Sequence, residues 1–303
     1  MLKKIRYNIY RMKWELAKYK VPKYPIHVDF ELSSICNLTC SFCPHSEDKQ
    51  EFNKVFMDFN LFKDIIDEIQ GKVKSIKFNL RGESTLHPQF ADFLEYASGK
   101  FIDTRINTNG QYLEKYINRL MVKHCTNISI SVDAFTDKTY EEKRGCTPDI
   151  LFMNIEETIR VAKKYRHKPI ITLSYVYTKN EDTEIEFFKR RWLGHNYKNL
   201  RFLIRPAMQR TEGKVFRNKE EAVGRKNCYM PNRRLVVTAD GQVSCCCLLW
   251  HDALYLGDAK DGILRYWNCF QVFILRDALK SNDKYLFPKM CKNCESAEAY
   301  IWE

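Results

Sequence analysis

From residue 26 to about residue 206 the chain alternates strand-length apolar runs with amphipathic stretches of helical period, and that rhythm admits few folds. Runs at 26–32, 75–80, 103–107, 128–133, 170–177 and 200–205 read as strands. Stretches at 58–70, 88–97, 113–123, 152–165 and 183–192 read as the helices between them. Six strands with intervening helices predict an α/β fold with right-handed crossovers and a parallel sheet. The periodicity fits both a curled, barrel-like sheet and a flat doubly wound one. In either, chemistry belongs at the C-terminal ends of the strands. After residue 206 the rhythm stops. Residues 210–226 are polar and charged, predicting a linker or exposed loop, and cysteines then become dense. Among them Asp240-Gly241, set between alternating apolar residues, predicts a tight hairpin.

The 303 residues suffice for one large domain or two, and 45% hydrophobic with 29% charged residues excludes a disordered chain. No run approaches the ~20 apolar residues of a membrane-spanning helix. The basic N-terminus lacks the apolar core of about 7–15 residues that a secretory signal needs, so a cytoplasmic location is expected. The net charge of +12 favours anionic partners or substrates. Twelve cysteines without an export signal point to metal or cluster ligation in a reducing compartment.

Residues 1–25 form a separate basic segment, in which eight Lys and Arg side chains face the single acid Glu15. Leu2, Ile5, Ile9, Met12 and Leu16 recur at three- and four-residue steps and predict an amphipathic helix closed by Pro22 and Pro25. The plain reading is a helix packed on the domain with a solvated basic face. The alternative is peripheral contact with an anionic membrane or a phosphorylated substrate.

The first cysteine group, Cys36-Asn-Leu-Thr-Cys40-Ser-Phe-Cys43, directly follows the first strand. Three thiolates leave a fourth position open. Zinc would take a further ligand such as His45, whereas an iron–sulfur cube with one free iron fits the deficit. The Cys-x3-Cys-x2-Cys spacing, with Phe42 before the last cysteine, resembles the radical S-adenosylmethionine (SAM) superfamily. Further segments follow in that family's order. Arg81-Gly82-Glu83 ends the second strand and is similar to the family's Gly-Gly-Glu, with Arg81 replacing the first glycine and Ser84 the usual proline. Asn107-Thr108-Asn109-Gly110 ends the third strand, Ser131 lies in the fourth, and Arg144 comes after it. The resemblance covers residues 26–209 and implies a partial (β/α)6 barrel. It implies a [4Fe–4S] cluster on Cys36, Cys40 and Cys43, with SAM held by Phe42, Gly82, Glu83, Asn107, Thr108, Asn109, Ser131 and Arg144. Glu83 would take the SAM ammonium and Arg144 its carboxylate.

In the tail, Gly241 followed five residues later by Cys246 resembles the Gly-x4-Cys element of the family's Cys-rich SPASM/twitch extension, here residues 210–303. Cys228, Cys246, Cys291 and Cys294 would then saturate one auxiliary [4Fe–4S] cluster, the zinc ribbon being the other reading of four thiolates. Cys245 and Cys247 compete with Cys246 on spacing alone.

The resemblance implies reductive SAM cleavage to a 5′-deoxyadenosyl radical and hydrogen abstraction from a substrate. The expected substrate is small and polar, such as a sugar, cyclitol or nucleotide derivative. A two-electron oxidation with the auxiliary cluster as electron acceptor is the leading expectation, with Arg205, Glu31 or Asp29 taking the proton. A redox-neutral epimerase would need a thiol donor, Cys269 first. Peptide modification is the third reading; about 25 residues precede the first strand, fewer than the leader-binding domain common in that group. An acidic electron donor such as flavodoxin or ferredoxin suits the basic chain. A zinc-containing nucleic-acid-binding module is the reading from another class, but no motif interleaves basic and aromatic residues as such modules do.

Overall fold

The computed structural model describes residues 2–47, 54–177, 181–207, 209–211, 214–216, 228–247, 249, 254–288 and 291. Six strands, β1 (His27–Phe30), β2 (Ser75–Phe78), β3 (Asp103–Thr108), β4 (Asn127–Ser131), β5 (Ile170–Tyr177) and β6 (Leu200–Pro206), lie side by side in chain order. Every neighbouring pair among them is parallel. The strands found match the expected ones to within a few residues, and the sheet is the expected parallel one.

The connecting helices are α2 (Pro44–Glu47), α3 (Phe59–Ile69), α4 (Phe90–Ala97), α5 (Lys115–His124), α6 (Asp137–Arg144), α7 (Asp149–Lys164) and α8 (Asp182–Leu193). α3 shows why they form. Asp58 caps it, its side chain accepting from the Leu61 amide at 2.8 Å, and Phe62, Ile65, Ile66 and Ile69 recur on one buried face. Burying each such side chain stabilises the fold by ~1.5–3 kcal/mol. α6 has no such stripe. It rests on a Thr136 cap and on Gly145, whose φ of +75° ends it in the left-handed region.

The segment after residue 206 departs from the expected loop. β7 (Gln209–Thr211) and β8 (Lys214–Phe216) pair as a two-stranded antiparallel sheet, while 217–227 lie outside the described residues. The hairpin forms as expected between β9 (Arg234–Val237) and β10 (Gln242–Ser244), with Gly241 at φ +84° in the turn. β9 then pairs parallel to β1, with His27 opposite Arg234 and Phe30 opposite Val237. With β11 (Gly257–Asp258) added to β10, one nine-stranded sheet runs β11-β10-β9-β1-β2-β3-β4-β5-β6. The Cys-rich tail therefore continues the main sheet. α9 (Phe270–Ser281) packs behind its first strand through Arg276, which donates from Nε to the Pro231 carbonyl at 3.0 Å.

The two faces of the parallel strands differ. Val28, Phe30, Ile76, Phe78, Ile106, Ile128, Ile130, Ile171 and Leu173 form the apolar core with the helices. Their neighbours His27, Asp29, Ser75, Lys77, Asp103, Arg105, Asn107, Ser129 and Ser131 alternate onto the other face. That inner face is polar across β1 to β4, while Ile170, Val176, Leu203 and Val236 add apolar side chains to it at β5, β6 and β9.

α1 (Leu2–Leu16) forms as expected but buries a different stripe. Tyr10, Trp14 and Ala17 are buried, and Trp14 meets His27 edge-on at 6.1 Å. Ile5, Ile9, Met12 and Leu16 are instead 43–56% exposed. Its neighbours His27 and Arg233 lie at or just before strand beginnings, so α1 sits at the end of the sheet opposite the C-terminal strand ends. No helix among the described residues is long and apolar enough to cross a membrane.

Candidate functional site

The loop after β1 carries Cys36, Cys40 and Cys43, with Cys40 buried and the other two half-buried. It is seated by a close backbone crossing. A Cβ added at Gly82 would lie 2.2 Å from the Ser33 carbonyl oxygen and 2.7 Å from that of Ile35. Only glycine allows this approach. The next residue, Glu83, donates its amide to the Ile35 carbonyl at 2.8 Å. Its buried carboxylate accepts from the Thr85 hydroxyl at 2.7 Å and from the Asn109 amide at 2.6 Å, tying the end of β2 to that of β3. Burial pushes the Glu83 carboxyl up, against these donors.

Burial also pushes the Cys36 thiol up to about 11, with Glu83, Cys40 and Cys43 adding negative charge and the Leu38 amide acting the other way. Such a thiol stays protonated at neutral pH until a metal displaces the proton. N–H donors approach the sulfurs: Arg144 reaches Cys40 Sγ at 3.2 Å and Asn109 Nδ2 reaches Cys36 Sγ at 3.9 Å. Donors of this kind stabilise the extra charge of a reduced iron–sulfur cluster. His45, the other zinc-ligand candidate, has Nε2 2.9 Å from the Ser34 carbonyl.

Arg144 lies 5.6 Å above the Phe42 ring and pairs with Asp133, whose backbone takes the left-handed φ of +64° at the end of β4. Arg144 Nε is buried with no hydrogen-bond partner among the described residues, and so is Asn79 Oδ1 at the end of β2. Buried polar atoms of this kind are costly unless something meets them. Orphaned polar atoms, the thiol set and the Gly82 crossing together fit an iron–sulfur cube with a polar ligand. The Thr108 hydroxyl accepts from the Gly110 amide at 3.1 Å and also hydrogen-bonds the Glu83 carboxylate. Asn107 and Ser131 are half-buried on the inner face, with the Ser174 hydroxyl 3.4 Å from that of Ser131.

Two expected proton acceptors are engaged elsewhere. Glu31 is fully buried and held by Arg81, which donates from Nε at 2.8 Å and from NH2 at 2.6 Å. The Arg81 and Ala239 amides also donate to it, at 3.2 and 3.0 Å. Both oxygens are saturated, which corrects the proton-accepting role. Asp29 accepts from Arg234 at 2.8 Å and lies 3.2 Å from His27 Nε2. Although burial favours its neutral form, Arg234 and His27 hold it far below the usual carboxylate range.

On β2, between Asp29 of β1 and Arg105 of β3, sits Lys77, which the motifs did not single out. Burial pulls its ammonium down to about 8 against the attraction of Asp29, with Arg234, Arg105 and Arg205 lowering it further. Arg205 thus acts on the same inner space. The signal was present in the alternation of polar residues along β1, β2 and β3, where parallel strands buried on both faces read as continuous apolar runs.

At the tail, the fully buried Cys245 thiol is pushed up to about 12 by burial, by Cys291 and by Cys228. The charges of Cys228 and Cys291 thus act on Cys245, and the adjoining Cys246 is half-buried; Cys294 lies outside the described residues. Cys269 begins α9, and its charge, like that of Cys245, acts on Arg276. The preceding Trp267 donates to the Pro22 carbonyl at 2.9 Å. Cys269 thus belongs to the strand-start end with α1, away from Cys36, Cys40 and Cys43, which corrects its expected place as a hydrogen donor in the reaction.

Residues 30–190 match the family model described as the radical SAM superfamily, and residues 228–295 match one described as an iron–sulfur cluster-binding domain. The mycofactocin maturase MftC of Mycobacterium ulcerans is 29% identical over 123 residues, which are 40% of this chain and 32% of that protein. The chain thus spans about a third of that relative's length. SuiB of Streptococcus suis bound to S-adenosylmethionine superposes with a TM-score of 0.69 over 94% of this chain and 75% of that one, at 17% identity. The same protein has also been solved with precursor peptide SuiA. BtrN in complex with AdoMet and 2-DOIA gives a TM-score of 0.56 over 89% of this chain and 92% of its own, at 17% identity. At these identities the solved structures establish the fold.

Proposed function

The chain belongs to the radical SAM superfamily, and from that premise we propose that it abstracts hydrogen from a polar, anionic substrate lying on the inner face of the sheet and oxidises it. Its cofactors are SAM and [4Fe–4S] clusters. Bound here, they supply a carbon-centred radical at the first cysteine group and an electron acceptor at the second. The observation that carries the substrate class is the inner face itself, where Lys77, Arg205, Asn107 and Ser131 stand in place of the branched apolar side chains that fill an ordinary barrel.

On this reading Cys36, Cys40 and Cys43 hold the SAM-binding cluster, and Cys228, Cys291 and Cys294 with Cys246 or Cys245 hold the auxiliary one. Glu83 receives the SAM ammonium, Arg144 its carboxylate, and Phe42, Gly82 and Asn109 shape the loop around it. Arg205 orients the anionic group, and the neutral form of Lys77, made accessible by burial that lowers its ammonium to about 8, takes the proton released as an alcohol becomes a carbonyl. The enzyme works in the cytoplasm, reduced by an acidic electron-transfer protein. Peptide modification is the second reading. The relatives MftC, a maturase, and SuiB, solved with a precursor peptide, favour it, and an acidic peptide side chain meets the same inner-face chemistry.

Glu83→Gln and Arg144→Ala each weaken SAM binding. Charge-assisted bonds worth ~1.5–3 kcal/mol correspond to about 10- to 100-fold in affinity. Equilibrium titration measures it, and unchanged affinity in both variants would remove these residues from the SAM site.

Anaerobic incubation with reductant, SAM and panels of anionic small molecules and acidic peptides, read by mass spectrometry, tests the reaction. An oxidised product is two mass units lighter than its substrate. A Cys245→Ala/Cys246→Ala protein should still cleave SAM but yield no such product. A product of unchanged mass in water that becomes one mass unit heavier when the reaction is run in deuterium oxide would replace oxidation with epimerisation.

A further inference from the structure

α1 leaves a face that the reaction does not use. At 100° per residue, Ile5, Ile9, Met12 and Leu16 fall within about 60° of one another. Tyr10, Trp14 and Ala17, which fix the helix to the sheet, lie on the opposite side. Four large apolar side chains, 43–56% exposed, therefore project away from the protein in one row, followed by Tyr19 at 86%. Isolated exposed apolar residues are ordinary, whereas a contiguous row at helical spacing marks a contact surface.

Charge decides what the surface meets. Arg6 and Lys13 flank the row on one side, and Asn8 and Glu15 on the other. Lys18 is paired with Glu15 at 2.7 Å, but Arg6 and Lys13 have no ion-pair partner among the described residues. Arg6 and Lys13 instead border a shallow pocket with Lys74, floored by Ile9, Tyr10 and Ile102. The pocket holds three cations and no acid. Lys74 is depressed by its burial and then by Lys13 and Arg6, so the three charges share one space.

We propose that this face docks on an anionic lipid bilayer, with Ile5, Ile9, Met12 and Leu16 entering the acyl boundary and Arg6, Lys13 and Lys74 receiving lipid phosphates. An apolar row bordered by a cluster of cations is the pattern of a helix lying in the membrane interface. A second copy of the chain fits less well, because pairing this face with itself would bring Arg6 and Lys13 against their own kind. Nucleic acid would meet the cations but leave the aliphatic row in water. The docking face lies at the strand-start end, so the C-terminal strand ends stay open to substrate.

The test is co-sedimentation of the full chain, with its clusters, on extruded vesicles. Vesicles of 70:30 phosphatidylcholine and phosphatidylglycerol are compared with phosphatidylcholine alone. At least tenfold stronger partitioning onto the anionic vesicles is expected, falling as salt is raised. Ile9→Asp/Met12→Asp and Arg6→Gln/Lys13→Gln should each lose at least tenfold in partitioning while cleaving SAM at the wild-type rate, which shows that they are folded. Wild-type protein left in the supernatant with anionic vesicles overturns the proposal. So does equal partitioning of the variants, or a dimer in sedimentation velocity that Ile9→Asp/Met12→Asp abolishes without any vesicle binding.

Discussion

Replacing Cys36, Cys40 and Cys43 together by alanine abolishes reductive SAM cleavage while leaving the tail's iron and sulfide in place. The two cysteine groups belong to different parts of the sheet, one after the last residue of β1 and the other around the start of β9 and the end of β10. Removing one donor set therefore leaves the other untouched. The neutral Cys36 thiol explains why partial replacement is less informative: with Cys36 high in pKa, occupancy depends on several thiols losing protons together. The variant should retain about half of the wild-type iron and form no 5′-deoxyadenosine. Undiminished 5′-deoxyadenosine would move the SAM site elsewhere.

Arg81→Ala should destabilise the protein by ~3–5 kcal/mol, because it strands the carboxylate of Glu31 in a fully buried position. The expectation concerns the ion pair as a unit. In Arg81→Met/Glu31→Leu the charge is gone from both sides, and the loss should fall to ~1–3 kcal/mol for the amides of residues 81 and 239 left without their acceptor. Denaturant unfolding of the wild type, Arg81→Ala and Arg81→Met/Glu31→Leu under anaerobic conditions measures the difference. If the double variant is no more stable than Arg81→Ala, the pair contributes through something other than its charge. The same pair explains the departure from Gly-Gly-Glu: where the family has glycine, this chain places a guanidinium on Glu31, whose carboxylate also takes the Ala239 amide of the β9–β10 turn.

The strands, most helices and the hairpin were legible because each rests on a local period or turn signal. The cysteine loop and Glu83 were legible through spacing. Other features come from contacts between distant residues. Asp29 and Glu31 look like strand-end acids until Arg234 and Arg81 are seen beside them, and neither partner is near in sequence. In α1 the aliphatic residues gave the stronger sequence period, yet the aromatic row found partners in His27, Arg233 and Arg234 and was buried instead. α6 was missed because its buried residues are Tyr140, Lys143 and Arg144, and only its Thr136 cap and Gly145 announce it.

The pairing of β9 with β1 bears on how the protein is made. β1 is among the first strands to leave the ribosome, but its partner Arg234 lies about 200 residues further along. Until then one edge of β1 stays open, the buried Asp29 lacks its cation and Glu31 lacks the Ala239 amide. Closing so long a loop is slow, and an unpaired strand edge is a hazard while it lasts. The nascent barrel must therefore wait, half finished, for the end of the chain, and a version cut before residue 228 would emerge with a charged, one-sided first strand.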